Sequence, residues 1–92
     1  MTSERLAALV CAHVVDGSAP LRMVVHDAPI DPSDSGWQFL CGEGETEPPS
    51  VWMLSEVIEQ FPDVRVLLDQ PVGRSFVRER EGAEWIAYEG EP

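Results

Sequence analysis

The side chains of this sequence that could bind a metal ion or act as a nucleophile are Cys11, His13, His26 and Cys41. Cys11 and His13 are two residues apart, so they share one face of a predicted strand. Thiolate and imidazole groups bind zinc, and a histidine can activate a neighbouring cysteine. Structural zinc sites usually take their ligands in close pairs from turns, whereas these residues lie within apolar segments. We therefore expect no metal and no cofactor, and we interpret the thiols and imidazoles as packing groups.

No motif of a common enzyme class accompanies these residues. The sequence contains no glycine-rich phosphate loop, no nucleophile elbow and no HExxH helix. A cysteine–histidine pair would also need an oxyanion hole, and no motif supplies one. We therefore expect a protein that is not an enzyme and that has no catalytic residue.

Carboxylates cluster in two predicted loops on either side of a tryptophan: Asp31, Asp34, Glu43, Glu45 and Glu47. Such a group could bind a hard cation, but its spacing does not match an EF-hand loop. The charges could instead be solvated loop residues, or they could attract a basic partner and raise its rate of association. Under the second interpretation, the residues that contact the partner are Asp34, Glu43, Glu45 and Glu47.

The three tryptophans differ in their predicted surroundings. Trp37 and Trp85 lie on predicted strands, and we expect both in or near the core. Trp52 falls beside Glu56 on the polar face of a predicted helix, where an aromatic side chain could anchor a partner. Alternatively, the loop over residues 42–49 could cover Trp52. The first interpretation adds Trp52 and Glu56 to the candidate partner-binding residues.

The charge of the chain limits the class of partner. Seventeen carboxylates face six arginines without any lysine in 92 residues, which gives a formal net charge of −11. Such a charge repels nucleic acid and anionic membranes and attracts cationic partners, although it could also serve solubility alone. Residues 1–30 show no secretory signal, and no segment reaches the ~18 apolar residues of a membrane span. We expect a cytoplasmic protein with reduced cysteines, a protein partner, and no nucleic acid or membrane partner.

Short apolar runs separated by turn-forming residues predict most of the strands. They cover residues 8–15, 21–27, 36–41, 75–80 and 84–89. The first two strands form a predicted hairpin, and the last two form another across residues 81–83.

The helical pattern is strongest over residues 50–61, where the apolar residues fall on one side and Ser50 would cap the first turn. A short second helix follows Pro62. Because strands and helices are segregated rather than alternating, we predict an α+β fold. It consists of a mainly antiparallel sheet of about five strands with one amphipathic helix and a short second helix on one face. We expect residues 1–92 to form a single domain.

Two short motifs resemble those of a bacterial family of small domains, immunity protein 33. The first, D-S-G-W-x-F, contains Asp34, Ser35, Gly36, Trp37 and Phe39. The second, L-D-x-P-x-G-x-x-F, contains Leu68, Asp69, Pro71, Gly73 and Phe76. The resemblance runs from about Val10 to Tyr88 and transfers no catalytic residue. The acidic loop over residues 42–49 departs from the more hydrophobic, tyrosine-containing loop of similar proteins.

The shared residues can be explained as scaffold. Gly36 would let the chain turn sharply into a strand, and Pro71 with Gly73 would shape a bend. Asp34 and Asp69 could cap turns or helix starts.

The resemblance implies an immunity protein that neutralises a toxin of a polymorphic toxin system by occlusion, with a basic domain such as a nuclease as the partner. The alternative is a cytoplasmic interaction domain or small-ligand-binding domain without a toxin. The neighbouring gene distinguishes the two, because a secreted protein with a toxin tip favours the first and a metabolic operon favours the second. An enzyme would be favoured by a metal or ligand bound near Cys11, His13 or His26.

Overall fold

The computed structural model describes residues 5–42 and 48–88. The strands are β1 (Ala7–Val10), β2 (Met23–His26), β3 (Asp34–Leu40), β4 (Ser50–Met53), β5 (Ser75–Val77) and β6 (Ile86–Ala87). The helices are α1 (Ala12–Asp16), α2 (Leu54–Gln60) and a 3₁₀ helix, Pro62–Leu67.

The strands form one six-stranded sheet in the order β4-β1-β3-β2-β5-β6. The adjacent strands β1 and β3 are parallel, and the other neighbours are antiparallel. This confirms the predicted α+β fold with a mainly antiparallel sheet. The predicted terminal hairpin is also present, because β5 pairs with β6 in antiparallel register.

The prediction of one strand over residues 8–15, paired in a hairpin with the next strand, is wrong. β1 ends at Val10, Cys11 takes the N-cap position of α1, and this helix ends at Gly17 with φ 81°. The run over residues 8–15 is apolar throughout, and periodicity cannot separate strand from helix in so short a segment. Strands β1 and β2 do not pair, because β3 lies between them.

The helix predicted over residues 50–61 is shorter than expected, because α2 has only 7 residues. Its first four residues form β4, an edge strand paired with β1, with Trp52 opposite Ala8. The helix begins at Leu54, so Ser50 is not its cap; instead the Glu56 carboxylate accepts a hydrogen bond from the Met53 amide at 2.9 Å. Pairing with a neighbouring strand has overridden a helical pattern in which β-branched and aromatic residues also favour a strand.

The helices of the described residues pack on one face of the sheet and enclose the core there. Fully buried core residues from the strands are Ala8, Val10, Val24, Trp37 and Phe39. The helices contribute Val14, Leu54, Val57, Ile58, Val64 and Leu67. Trp37 and Phe39 are therefore core residues as predicted, and Trp85 packs against the same core. Residues 5–42 and 48–88 contain no helix with the length and hydrophobicity needed to cross a bilayer.

A buried arginine ties the C-terminal hairpin to the rest of the fold. The Arg78 Nε donates to the Leu21 carbonyl at 2.9 Å, and its guanidinium pairs with the Asp63 carboxylate. The guanidinium carbon also lies 4.2 Å from the centre of the Trp85 ring. Trp85 in turn donates to the Asp63 carbonyl at 3.1 Å. The sequence contains no pattern that predicts this arrangement.

Removing the Asp63 carboxylate should destabilise the fold, because it leaves the nearly inaccessible Arg78 side chain without its anion. For Asp63→Ala we expect the free energy of unfolding to fall by about 2–3 kcal/mol, below the range for breaking a fully buried ion pair because the Asp63 side chain is 45% exposed. Urea denaturation measures this. Glu59→Ala, at an exposed carboxylate on α2, is the control and should change stability by less than ~0.5 kcal/mol. Equal losses in the two variants would show that the pair contributes nothing.

Candidate functional site

The face of the sheet opposite the helices, here called the open face, carries a set of apolar side chains. They are Leu9, Met23, Val25, Val51, Met53, Val77 and Ile86. Residues alternate between the two faces of a strand, so these side chains point away from the core that their neighbours form. The register joins several of them across strands: Val51 lies opposite Leu9, and Val77 lies between Met23 and Ile86.

The open face is only partly shielded from solvent. Val51 is 69% exposed and Ile86 is 59% exposed, while Leu9, Val25 and Val77 are half-buried. Apolar side chains grouped on one partly exposed face mark interaction sites more often than isolated apolar residues do. The arrangement can therefore bury apolar area against a partner.

A polar group interrupts the apolar surface on the central strand β3. Gln38 pairs with Leu9 on one side and Val25 on the other. Its amide nitrogen donates to the Asp27 carboxylate at 3.3 Å. The contact places a carboxylate beside the open face, so acidic and apolar groups are adjacent there.

Trp52 and Glu56 lie in surroundings that differ from those predicted. Trp52 belongs to β4 rather than to a helix, and it is half-buried and packs against the core. By alternation it points to the side opposite Val51 and Met53. Glu56 is exposed, but its carboxylate holds the Met53 amide at the start of α2. A contact between a partner and Trp52 or Glu56 stays a prediction.

The Asp34 carboxylate shapes the chain at the start of β3, and its contact with a partner stays a prediction. It accepts hydrogen bonds from the amides of Ile30 and Gly36, each at 3.0 Å. In the same loop, hydrogen bonds from the Ser33 hydroxyl and amide hold the pKa of Asp31 below its usual value. Asp34 is thus a turn-forming residue at the edge of the predicted acidic surface.

The other members of that predicted surface, Glu43, Glu45 and Glu47, lie outside the described residues. The structure therefore gives no distance between these residues and Asp34. Their chain position directly after β3 is known from the sequence alone. Their contact with a partner stays a prediction.

The two sequence motifs meet at His26, a buried residue that sequence reasoning treated only as packing. One ring nitrogen of His26 lies 3.2 Å from the Ser35 carbonyl in the first motif. The other lies 3.0 Å from the Gln70 carbonyl beside the second, and the ring stacks on Trp37 at 4.0 Å. The Gly73 amide donates to the His26 carbonyl at 2.7 Å. The motifs are thus parts of one scaffold around β2.

Three of the four candidate metal ligands come together, although the sequence favoured packing roles for them. The Nδ1 atom of His13 lies 3.6 Å from the Cys11 sulfur and 3.7 Å from the Cys41 sulfur. His26 lies apart, engaged with backbone carbonyls. The reason for expecting no metal, that the cysteines lie inside apolar strands, is wrong: Cys11 follows β1, and Cys41 follows β3.

Comparison with known proteins supports the resemblance seen in the sequence motifs. The family model described as Immunity protein Imm33 domain matches residues 8–89, which include both motifs. No curated protein and no solved structure matches the chain. Since the matched residues are nearly the whole sequence, this chain belongs to the Imm33 immunity protein domain family.

Proposed function

We propose that this protein neutralises a basic toxin domain in the bacterial cytoplasm by occlusion, without catalysis, using the open face as the centre of its binding surface. Membership of an immunity protein family supports a protein partner in general. The observation that carries the proposal is the apolar surface opposite the helices. It would exclude water from a partner surface and bury its own apolar side chains.

The size of the open face indicates what else the interface needs. Strands spaced ~4.8 Å apart and about four residues long, at ~3.3 Å per residue, cover roughly 380 Å² across six strands. Each partner in a standard interface buries about 800 Å². The surrounding loops would therefore supply more than half of the contact area. Of the predicted binding residues, we propose Asp34, Glu43, Glu45 and Glu47 for that outer part. Trp52 points to the opposite side of the sheet, and Glu56 lies on α2 on that side.

The net charge of −11 supports a cationic partner. An acidic protein attracts a basic one before contact and raises the association rate, while buried apolar side chains slow dissociation. The same charge disfavours nucleic acid and anionic membranes as direct partners. A toxin that itself binds nucleic acid, such as a nuclease, has a basic surface. Such a surface would be attracted by the acidic charge of this protein.

The alternative is an interaction or small-ligand domain without a toxin partner. This alternative predicts that the neighbouring genes encode no secreted toxin. The open face would then serve a housekeeping partner, and the acidic charge would serve solubility.

The proposal is tested with the toxin domain encoded by the neighbouring gene. We expect stable binding in vitro and restored growth when the two are co-expressed. Raising the salt concentration from ~0.02 M to ~0.2 M should reduce the association rate constant roughly tenfold with little change in the dissociation rate constant, because salt screens long-range attraction. Stopped-flow fluorescence measures both. No binding would refute the toxin assignment, and a salt-independent association rate would refute the role of the charge.

A further inference from the structure

We propose that Cys11, His13 and Cys41 form a zinc-binding site. Their ligand atoms all lie within 4.8 Å of one another. The site is separate from the open face, and the inference does not depend on the identity of a toxin. It assigns a role to thiols and an imidazole that the proposed function does not use.

The parallel pairing of β1 and β3 brings the two cysteines together. In parallel strands the carboxyl ends meet at the same edge of the sheet, and Cys11 and Cys41 each directly follow one of these strands. The Cys11 amide donates to the Phe39 carbonyl at 2.9 Å, which fixes one strand end against the other. The chain then turns into α1, which places the His13 imidazole close to both sulfurs. Ligands at such turns are typical of structural metal sites.

The distances match the dimensions of a zinc centre. With Zn–S bonds of about 2.3 Å and Zn–N bonds of about 2.05 Å at a tetrahedral angle, sulfur and nitrogen lie about 3.6 Å apart. The two sulfur–nitrogen distances in the structure are 3.6 Å and 3.7 Å. The sulfur–nitrogen pairs therefore already have the spacing of zinc ligands, and the two sulfurs lie within 4.8 Å of each other.

The charge of the cluster also favours an ion. Both sulfurs lie at hydrogen-bond distance from the same imidazole nitrogen, the Nδ1 atom of His13. A metal ion binds that nitrogen and both sulfurs at once. Two thiolates balance the charge of Zn²⁺, so the centre is neutral, as suits cysteines that are 0% and 1% exposed.

The ligand chemistry selects the class of metal. Two thiolates and an imidazole suit zinc and disfavour calcium and magnesium, which prefer oxygen ligands. Three protein ligands leave one position of a tetrahedral centre open, and His13 is the half-buried member of the cluster. In proteins that position is taken by water or by a further ligand.

The test uses the full chain, purified with reduced cysteines and titrated with Zn²⁺ and with Co²⁺ as a spectroscopic probe. We expect about one equivalent of either ion, a thiolate-to-cobalt charge-transfer band, and a melting temperature that rises by roughly 10 °C at a hundredfold excess of free zinc over Kd. Zinc should also protect both thiols from alkylation in the wild-type protein.

Variants identify the ligands. Cys41→Ser and His13→Asn should each weaken zinc binding by roughly 100-fold or more, and His26→Gln, which removes the imidazole outside the cluster, should retain it. The proposal is overturned if the wild-type chain shows no charge-transfer band and no thiol protection, or if it forms a disulfide in air at the same rate with and without zinc. These readouts concern the wild-type protein, so they hold even if a variant does not fold.

Discussion

Replacing Gly36 by alanine should lower the free energy of unfolding by at least about 3 kcal/mol, a large share of the stability of a small domain. Gly36 has φ 82°, in the left-handed region, and an added Cβ would lie 2.1 Å from the Asp27 carbonyl oxygen. The Asp27 amide donates to the Gly36 carbonyl at 2.7 Å, so the two segments cannot separate without losing this hydrogen bond. The variant therefore combines backbone strain with a clash against backbone.

Gly17→Ala separates the two effects. Gly17 has φ 81°, almost the same backbone conformation, but nothing lies within 4 Å of an added Cβ. We expect a loss of about 1 kcal/mol, the cost of the left-handed conformation alone. Urea denaturation of both variants measures the difference. Similar losses at the two positions would mean that the close approach at Gly36 relaxes freely, and the scaffold role of the first motif would then be wrong.

The second large effect concerns binding. Val51→Arg should weaken the complex with the toxin domain by roughly 100-fold or more, because it places a charge and a long side chain in the apolar surface that the partner covers. Val51 is 69% exposed on an edge strand, so the free energy of unfolding should change by less than ~0.5 kcal/mol. Isothermal titration calorimetry measures the affinity.

Val66→Arg is the matched control. Val66 is 72% exposed on the 3₁₀ helix, on the helical side of the sheet, and the substitution changes the net charge by the same amount. Any general loss of electrostatic attraction should lower the affinity of both variants equally. The remaining difference in affinity measures the contribution of the open face. An affinity that falls equally in both variants, or only in Val66→Arg, would place the binding surface elsewhere.

Much of the fold follows from short patterns in the sequence. Alternation identified β2, β3 and the terminal hairpin, and segregation of strands from helices indicated an α+β fold with helices on one face. The errors share a physical cause. The run over residues 8–15 is uniformly apolar, and residues 50–53 fit a helix as well as a strand, so only pairing with distant strands decides their conformation.

The candidate site was harder to predict because it depends on which strands become neighbours. In a helix over residues 50–61, Val51 and Met53 would lie on the apolar face and Trp52 on the polar face, which reverses their observed sides in β4. The cluster of Cys11, His13 and Cys41 requires the parallel pairing of β1 and β3, which no local sequence pattern predicts. By contrast, the roles of Gly36 and Asp34 followed from local turn chemistry.

The most direct test of the proposed binding surface is methyl NMR of the protein with and without the toxin domain. Resonances of Leu9, Val25 and Val51 on the open face should shift or broaden on binding, while that of Val66 on the helical side should not. Shifts confined to Val66 and its neighbours, with the open-face methyl groups unchanged, would contradict the proposal.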